Sequence, residues 1–325
     1  GQEARKDIEK ARETIAQKLG ADASEIIFTS GGTESNNLVL RSIADQHTKG
    51  QIITSTIEHK SILDTCKVLE KKGFTITSLN VSKTGKVDPK ELLKAITKDT
   101  ILVSIMHINN EIGSIQDIQT LATICKEKNI PFHTDAVQSF TKFPLDVKEI
   151  PVTFCTLSAH KIHGPKGIGA LYIRKNTTII PQITGGNQEF GLRSGTENIK
   201  STQGFAKAVE ISKPFNKELR NYFVEQLQKL DPQITINGQD PTHIINVRFP
   251  GIENDSLLLQ LDQKGIAVST GSACTSKIHK PSHVLLAMGL SPKQAKECIR
   301  FSLSRYTTKE EIDTTIKVLK QLIYS

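Results

Sequence analysis

Short β-branched runs alternate with helical patterns over the first two thirds of the chain. "EIIFTS" precedes "ESNNLVLRSIADQ", "QIITS" precedes "KSILDTCKVLEKKG", and "FTITSLN" precedes "DPKELLKAI". "TILVSIM", "DIQTLATICKEKN", "IPFHTD", "VTFCTLS" and "GALYIRK" continue the series. Several of these runs are apolar at successive positions, so both faces of their sheet must be covered. That predicts an α/β domain with a mostly parallel sheet and helices on either side. Gly73 closes the second helix, while Asp88 as N-cap and Pro89 in the first turn open the third. Near residue 212 the pattern changes. "SKPFNKELRNYFVEQLQKL" reads as a connecting helix, followed by "HIINVRF", "DSLLLQLDQKG", "IAVST", "PSHVLLAMG", "CIRFSLS" and "TKEEIDTTIKVLKQL". The last helix opens with the capping-box spacing Thr308 to Glu311. The mixture predicts a smaller α+β domain, with the division at 1–212 and 213–325.

A chain of 325 residues is comfortable for two domains. It has no run of 18 apolar residues to span a bilayer. Its opening, "GQEARKDIEKARETIAQKLG", is an amphipathic helix without the apolar core of a signal peptide. The five cysteines at 66, 125, 155, 274 and 298 form no C-x-x-C pair. Their number and spacing argue against a disulfide framework and for a reducing compartment, the cytoplasm. The formal charge of +8 is dispersed over helical stretches with acids beside the lysines. It reads as a solvated surface, without a signature of direct nucleic-acid binding.

Cys66, Cys125 and Cys155 lie in helix and strand patterns and read as core thiols, and Cys298 reads as packing. Cys274 is different, because "STGSACTSKIH" places only small and hydroxyl residues beside it. A metal ligand, a redox thiol, a nucleophile and an incidental small residue all remain open there. Cys274, His279 and His283 have a C-x4-H-x3-H spacing that zinc could use, but no fourth ligand is in view.

Active sites of open α/β sheets lie at the carboxyl ends of the strands. After the first strand comes "GGTESNN", where Gly31, Gly32 and Thr33 meet a helix start and offer an anion site. His59 follows the second strand, and Asn109 and Asn110 follow "TILVSIM". Asp135 and Gln138 follow "IPFHT", and Ser158, His160 and Lys161 follow "VTFCT". A phosphate cradle, an imidazole, an amide, a carboxylate and a lysine thus share one rim. A Walker P-loop and a Rossmann glycine fingerprint are both absent. Pyridoxal 5′-phosphate (PLP) wants all five groups: a lysine for a Schiff base, an acid facing the pyridinium nitrogen, and contacts for phosphate and ring.

"SAHKIHGPKGIGALYIRK" closely resembles the PLP-lysine segment of the cysteine desulfurases, the IscS/NifS group within the class-V aminotransferase fold. "FTSGGTESNN", "EHKSILD", "HINNEIG", "HTDAVQ", "GLRSGTEN" and "STGSACTS" resemble further blocks of that family, in its order and across essentially the whole chain. The resemblance implies PLP-dependent transferase fold type I, with a large α/β domain and a smaller α+β domain carrying the cysteine loop. It implies that Lys161 holds PLP and moves protons. Asp135 would keep the pyridine nitrogen protonated, Gln138 would bond the ring hydroxyl, and His59 would stack on the ring and shuttle protons. Gly32, Thr33, Ser158, Ala159 and His160 match cofactor-binding positions. Thr196 matches a phosphate ligand supplied across a homodimer. Asn110, which also matches a cofactor contact, and Arg300 match the groups on the substrate carboxylate, where an arginine fork binds two oxygens at once.

The same resemblance makes Cys274 the nucleophile that takes sulfur from L-cysteine, leaving L-alanine and an enzyme persulfide. Small neighbours give the thiolate access. The persulfide sulfur would go to an iron–sulfur scaffold protein or to other acceptors, including those of tRNA thiolation. On the scaffold, Cys274 would transiently share an iron–sulfur cluster. A selenocysteine lyase-like enzyme and an inactive PLP-binding scaffold are the alternatives. The sequence departs from the family in two places. It starts after an opening block of several dozen residues, which leaves the activity of this chain as the open expectation. It also carries Asn187 where a third glycine is usual.

Overall fold

The computed structural model describes residues 1–271 and 281–324. The chain forms two compact units. One holds Gly1–Leu79, Val87–Ile108 and Gln116–Pro214, the other Asn80–Lys86, Asn109–Ile115 and Phe215–Ser325.

The first unit begins with α1 (Gln2–Leu19), whose buried Ile8, Ala11, Ile15, Ala16 and Leu19 recur at helical spacing. Gly20 ends it in the left-handed region, at φ 75°. Seven strands follow: β1 (Ile26–Thr29), β2 (Gln51–Ser55), β3 (Thr75–Leu79), β4 (Thr100–Ser104), β5 (Phe132–Asp135), β6 (Phe154–Ser158) and β7 (Gly169–Ile173). The intervening helices are α2 (Gly32–Asp45), α3 (Lys60–Lys71), α4 (Pro89–Ala95) and α5 (Ile118–Glu127), with α6 (Ile199–Glu210) packed on α1. The sheet order is β1-β7-β6-β5-β4-β2-β3. β3, β2, β4, β5 and β6 run parallel, whereas β7 is antiparallel to both β6 and β1. Every residue of β1, β2, β5, β6 and β7 is buried, as strands covered on both faces must be. β4 is half-buried at Thr100 and Ile101, and β3 is the most open. It is an edge strand with Thr75 and Ser78 exposed. α4 starts as the sequence predicts, with Asp88 accepting from Lys90 N–H and Pro89 in the first turn.

The second unit has a three-stranded antiparallel sheet in the order β10-β9-β8. Its elements are α7 (Lys217–Leu230), β8 (Thr235–Asn237), β9 (Ile244–Arg248), α8 (Asn254–Gln263), α9 (His283–Ala287), α10 (Pro292–Ala295), β10 (Cys298–Ser302) and α11 (Lys309–Tyr324). Phe223, Leu227, Val247, Phe249, Phe301 and Leu319 are among the side chains of its core. α7 starts later than the sequence pattern suggests. Pro214 has no N–H to give, and the Asn216 side chain caps the helix by accepting from Glu218 N–H. "IAVST" makes no strand, and only Ser269 bridges to Arg300. The capping box of α11 is present, with Thr308 and Glu311 each accepting the other's backbone N–H. No described helix is long and apolar enough to cross a membrane.

Two buried polar clusters in the first unit carry energetic weight. The Arg12 guanidinium donates to both oxygens of Glu189, at 2.7 and 3.1 Å, and to the Ile26 carbonyl. The Glu189 carboxylate also accepts from Phe28 N–H. Arg12 sits 4.9 Å from the ring centroids of Phe28 and Phe190. Removing one partner of a buried pair strands the other charge. We expect Glu189→Ala to lower the unfolding free energy by about 3–5 kcal/mol in a denaturant titration.

The second cluster underlies the carboxyl ends of the strands. His133 Nδ1 pairs with Ser104 Oγ and its Nε2 with Thr156 Oγ1, at 2.8 and 3.0 Å. Burial pushes His133 down to about 3 and His107 down to about 4. Glu58, 1% exposed, accepts from Ser55 Oγ at 2.6 Å and from Met106 N–H. Burial pushes Glu58 up to about 8 against those donors, and the Asp135 charge adds to the rise. The folded state therefore takes up a proton at Glu58 above the ordinary value of 4.5. The stability this provides is full below that value and is lost as pH rises through the folded one. Denaturant titrations should show wild type losing about 2–4 kcal/mol more than Glu58→Gln between pH 5 and pH 8. The two histidines act between their lowered values and the ordinary 6.5, equally in both proteins, and cancel in that comparison.

Candidate active site

The sheet reverses its strand order between β2 and β4, and ligands of open sheets collect beyond the carboxyl ends at such a reversal. There the first unit gathers most of the groups expected from the sequence. Asp135 is the last residue of β5 and 7% exposed. Its Oδ2 accepts from Asn36 Nδ2 at 2.8 Å and its Oδ1 from Val137 N–H at 3.0 Å. Both donors are neutral, and among the described residues Asp135 makes no ion pair. A carboxylate buried at that depth is costly unless a positive group meets it.

His59 is the N-cap of α3, with its Nδ1 accepting from Ser61 N–H at 3.2 Å and lying 2.8 Å from Ser61 Oγ. Gln138 is buried, and its carbonyl accepts from Lys142 Nζ at 3.2 Å. Lys161 is exposed on a 3-10 turn, Ala159–Ile162, that directly follows β6. Ala159 of the same turn is fully buried. Burial, with the Lys161 ammonium adding to it, pushes Lys142 down to about 7.

The phosphate-cradle residues also converge. α2 opens at Gly32 with no side-chain cap, and Gly31 sits at φ 149°, a conformation that needs glycine. A Cβ on Gly169 of β7 would lie 2.7 Å from Gly31 Cα, so backbone meets backbone under the turn. A Cβ on Gly31 would face Ser158 Oγ, 3.9 Å away. Ser158 Oγ is 2.8 Å from His160 Nδ1. Thr33 is exposed in the first turn of α2. Burial first, then the ammonium groups of Lys161, Lys142 and Lys166, holds His160 below its ordinary value. A helix N-terminus beside that much positive charge suits a dianion. Thr196 is exposed, in a segment that Arg193 ties to the first turn of α2 through Glu34 at 2.9 and 3.3 Å.

These groups fit PLP. The buried, cation-free carboxylate of Asp135 suits a protonated ring nitrogen, the α2 turn with Ser158 and His160 suits a phosphate, and Lys161 supplies the amine.

In the second unit, Arg300 stands in β10 and donates from Nη1 to the Asn110 carbonyl at 2.9 Å. Asn109 Oδ1 shapes that loop by accepting from the N–H groups of Glu111 and Ile112. The structure thus joins Arg300 and Asn110, by way of a main-chain carbonyl. Cys274 lies outside the described residues, as does His279 of the zinc spacing. Cys66, Cys125, Cys155 and Cys298 are buried, and burial pushes Cys66, Cys125 and Cys298 up to about 12 and Cys155 higher still. They are packing thiols, as the sequence predicts.

Sequence reasoning missed Asn36, Ser61, Glu58 and Lys142. Asn36 was the most accessible of these. It falls on the face of α2 shared by Leu40 and Ile43, a polar residue on an apolar stripe.

The aminotransferase class-V family model matches residues 1–315. The cysteine desulfurase IscS of Dictyoglomus turgidum is 49% identical over 335 aligned positions, covering 99% of this chain and 85% of that protein. A solved NifS-like protein superposes with a TM-score of 0.91 at 39% identity, covering all of this chain and 89% of the other. The structure of SspA in complex with cysteine gives 0.86 at 39% identity, covering 94% and 89%. A match over nearly the whole chain, together with the strand ends that fit PLP, makes the chain a member of the class-V aminotransferase family, on the α/β fold of its NifS-like relatives.

Proposed function

We propose that this chain is a PLP-dependent cysteine desulfurase that removes sulfur from L-cysteine, leaving L-alanine and a persulfide on Cys274. The observation that carries the reading is Asp135: a buried carboxylate at a strand end, supported by two N–H donors and left without a cation, on the same sheet edge as Lys161. The curated IscS relatives, and a solved relative holding cysteine, support the substrate.

Bound PLP supplies an electron sink for charge developing at the amino acid's Cα. Asp135 supplies the fixed negative charge that keeps the ring nitrogen protonated. The N-terminus of α2, Gly32, Thr33, Ser158 and His160 hold the phosphate, and Thr196 adds to that set from the second subunit of a homodimer. Gln138 orients the ring oxygen, and His59 covers the ring face. Lys161 anchors the cofactor and moves protons. Arg300 takes the substrate carboxylate, with Asn110 beside it. Cys274 as thiolate forms a bond to the substrate sulfur while the Cβ–S bond breaks. The bonding pair stays with carbon, and protonation there yields alanine. The persulfide then serves an iron–sulfur scaffold protein or another acceptor. Nothing in this scheme asks for a nucleic-acid or membrane surface.

The test is sulfide and alanine release from L-cysteine with dithiothreitol. Wild type should release both in equal amounts and show the visible absorbance of bound PLP. Lys161→Ala should lose that absorbance and the activity. Cys274→Ala should keep the colour and lose at least about 100-fold in rate, the scale of a missing nucleophile. A colourless wild type after PLP reconstitution overturns the cofactor reading, and full activity in Cys274→Ala overturns the persulfide.

A further inference from the structure

Asp135 and His59 stand on different elements, yet one unbroken run of hydrogen bonds joins them. Asp135 Oδ2 to Asn36 Nδ2 is 2.8 Å, Asn36 Nδ2 to Ser61 Oγ is 2.8 Å, and Ser61 Oγ to His59 Nδ1 is 2.8 Å. Asn36 is 1% exposed and Ser61 8% exposed. The run is therefore dry along most of its length.

Its polarity follows from the donors. The Asn36 amide must turn its NH₂ group to Asp135, because the reverse would set two oxygens against each other. That choice leaves Asn36 Oδ1 buried with no hydrogen-bond partner, a sacrifice worth making only if both N–H bonds matter. The second N–H goes to Ser61 Oγ, which frees the serine hydroxyl to donate onward. Ser61 N–H already donates to His59 Nδ1 at 3.2 Å. Two donors on Nδ1 leave it a bare acceptor and put the ring proton on Nε2.

We propose that Asn36 and Ser61 form a positioning relay that ties the cofactor-facing acid Asp135 to the imidazole of His59 and fixes the His59 tautomer, with its proton on Nε2. This deepens the desulfurase reading and rests on it, since Asp135 and His59 are there the groups that meet the cofactor. The relay makes His59 a donor at Nε2 and withholds Nδ1 from proton exchange. Other titratable groups at the same strand ends are Glu58, His107, Lys142, His160 and Lys161, and none of them is a link in the run. Asp135 draws the first Asn36 N–H, weakens the second, and so reaches the His59 ring through the serine.

The experiment is long-range ¹H–¹⁵N NMR of the histidine rings in the full-length protein, at one pH where His59 is neutral. Wild type should show Nδ1 as the unprotonated nitrogen. Ser61→Ala should lower the ratio of the Nε2–H to the Nδ1–H form about fivefold, the worth of one net hydrogen bond, and Ser61→Thr should restore it. Asp135→Asn should move the His59 Nδ1 resonance in wild type and fail to move it in an Asn36→Leu background. An Nδ1–H ring in wild type, an unchanged ratio in Ser61→Ala, or an equal response to Asp135→Asn in both backgrounds overturns the relay. If Asn36→Leu does not fold, the Ser61→Ala and Ser61→Thr pair decides alone. The measurement needs no cofactor, so it separates from the desulfurase reading, which the wild-type absorbance and sulfide assay decide on their own.

Discussion

Strands buried on both faces have no side left for chemistry. In the larger unit this constraint governs the rest. With β1, β2, β5, β6 and β7 sealed between helices, polar groups gather where the strands end. The parallel run makes those ends coincide. The antiparallel β7 keeps the pattern, because it returns the chain so that β1 points the same way as β6. Gly31, His59, Asp135 and Lys161 lie far apart in sequence and share one edge for this reason.

Gathering acids, histidines and lysines in a dry place costs desolvation, and the structure offsets that cost differently at each group. Glu58 gives up its charge. His133 stays neutral between two hydroxyls. Lys142 is pressed toward its neutral amine. Asp135 is treated unlike the others, since it keeps two N–H donors at the strand end and has room for a charged ligand to complete it. The differing treatment sets Asp135, with its two N–H donors, apart from the groups that shed charge.

Much of this was legible in the sequence, because it depends on periodicity and on the residues that come directly after a strand. The positions of Asp135, His59 and Lys161 needed only strand ends. The cap at Asp88 and the box at Thr308 needed only local spacing. The supporting groups were harder. Ser61 and Lys142 look like ordinary polar residues of a helix start and a loop, and only the folded chain shows that they face Asn36 and the Gln138 carbonyl. Glu58 looks like a surface acid beside a histidine until the loop after β2 is seen to turn it inward onto Met106 N–H. Long-range partners of this kind leave no period in the chain. The joining of Arg300 to the Asn110 carbonyl, across 190 residues, is of the same sort.

The four buried cysteines have a consequence for a protein that handles reactive sulfur. A persulfide exchanges with thiolates, and its outer sulfur migrates to whichever thiolate it can meet. Cys66, Cys125, Cys155 and Cys298 are out of solvent and held as thiols by the cost of charging them where they sit. None can compete for the cargo or trap it as an internal disulfide. The same packing that fills the interior keeps these four thiols from diverting sulfur meant for an acceptor.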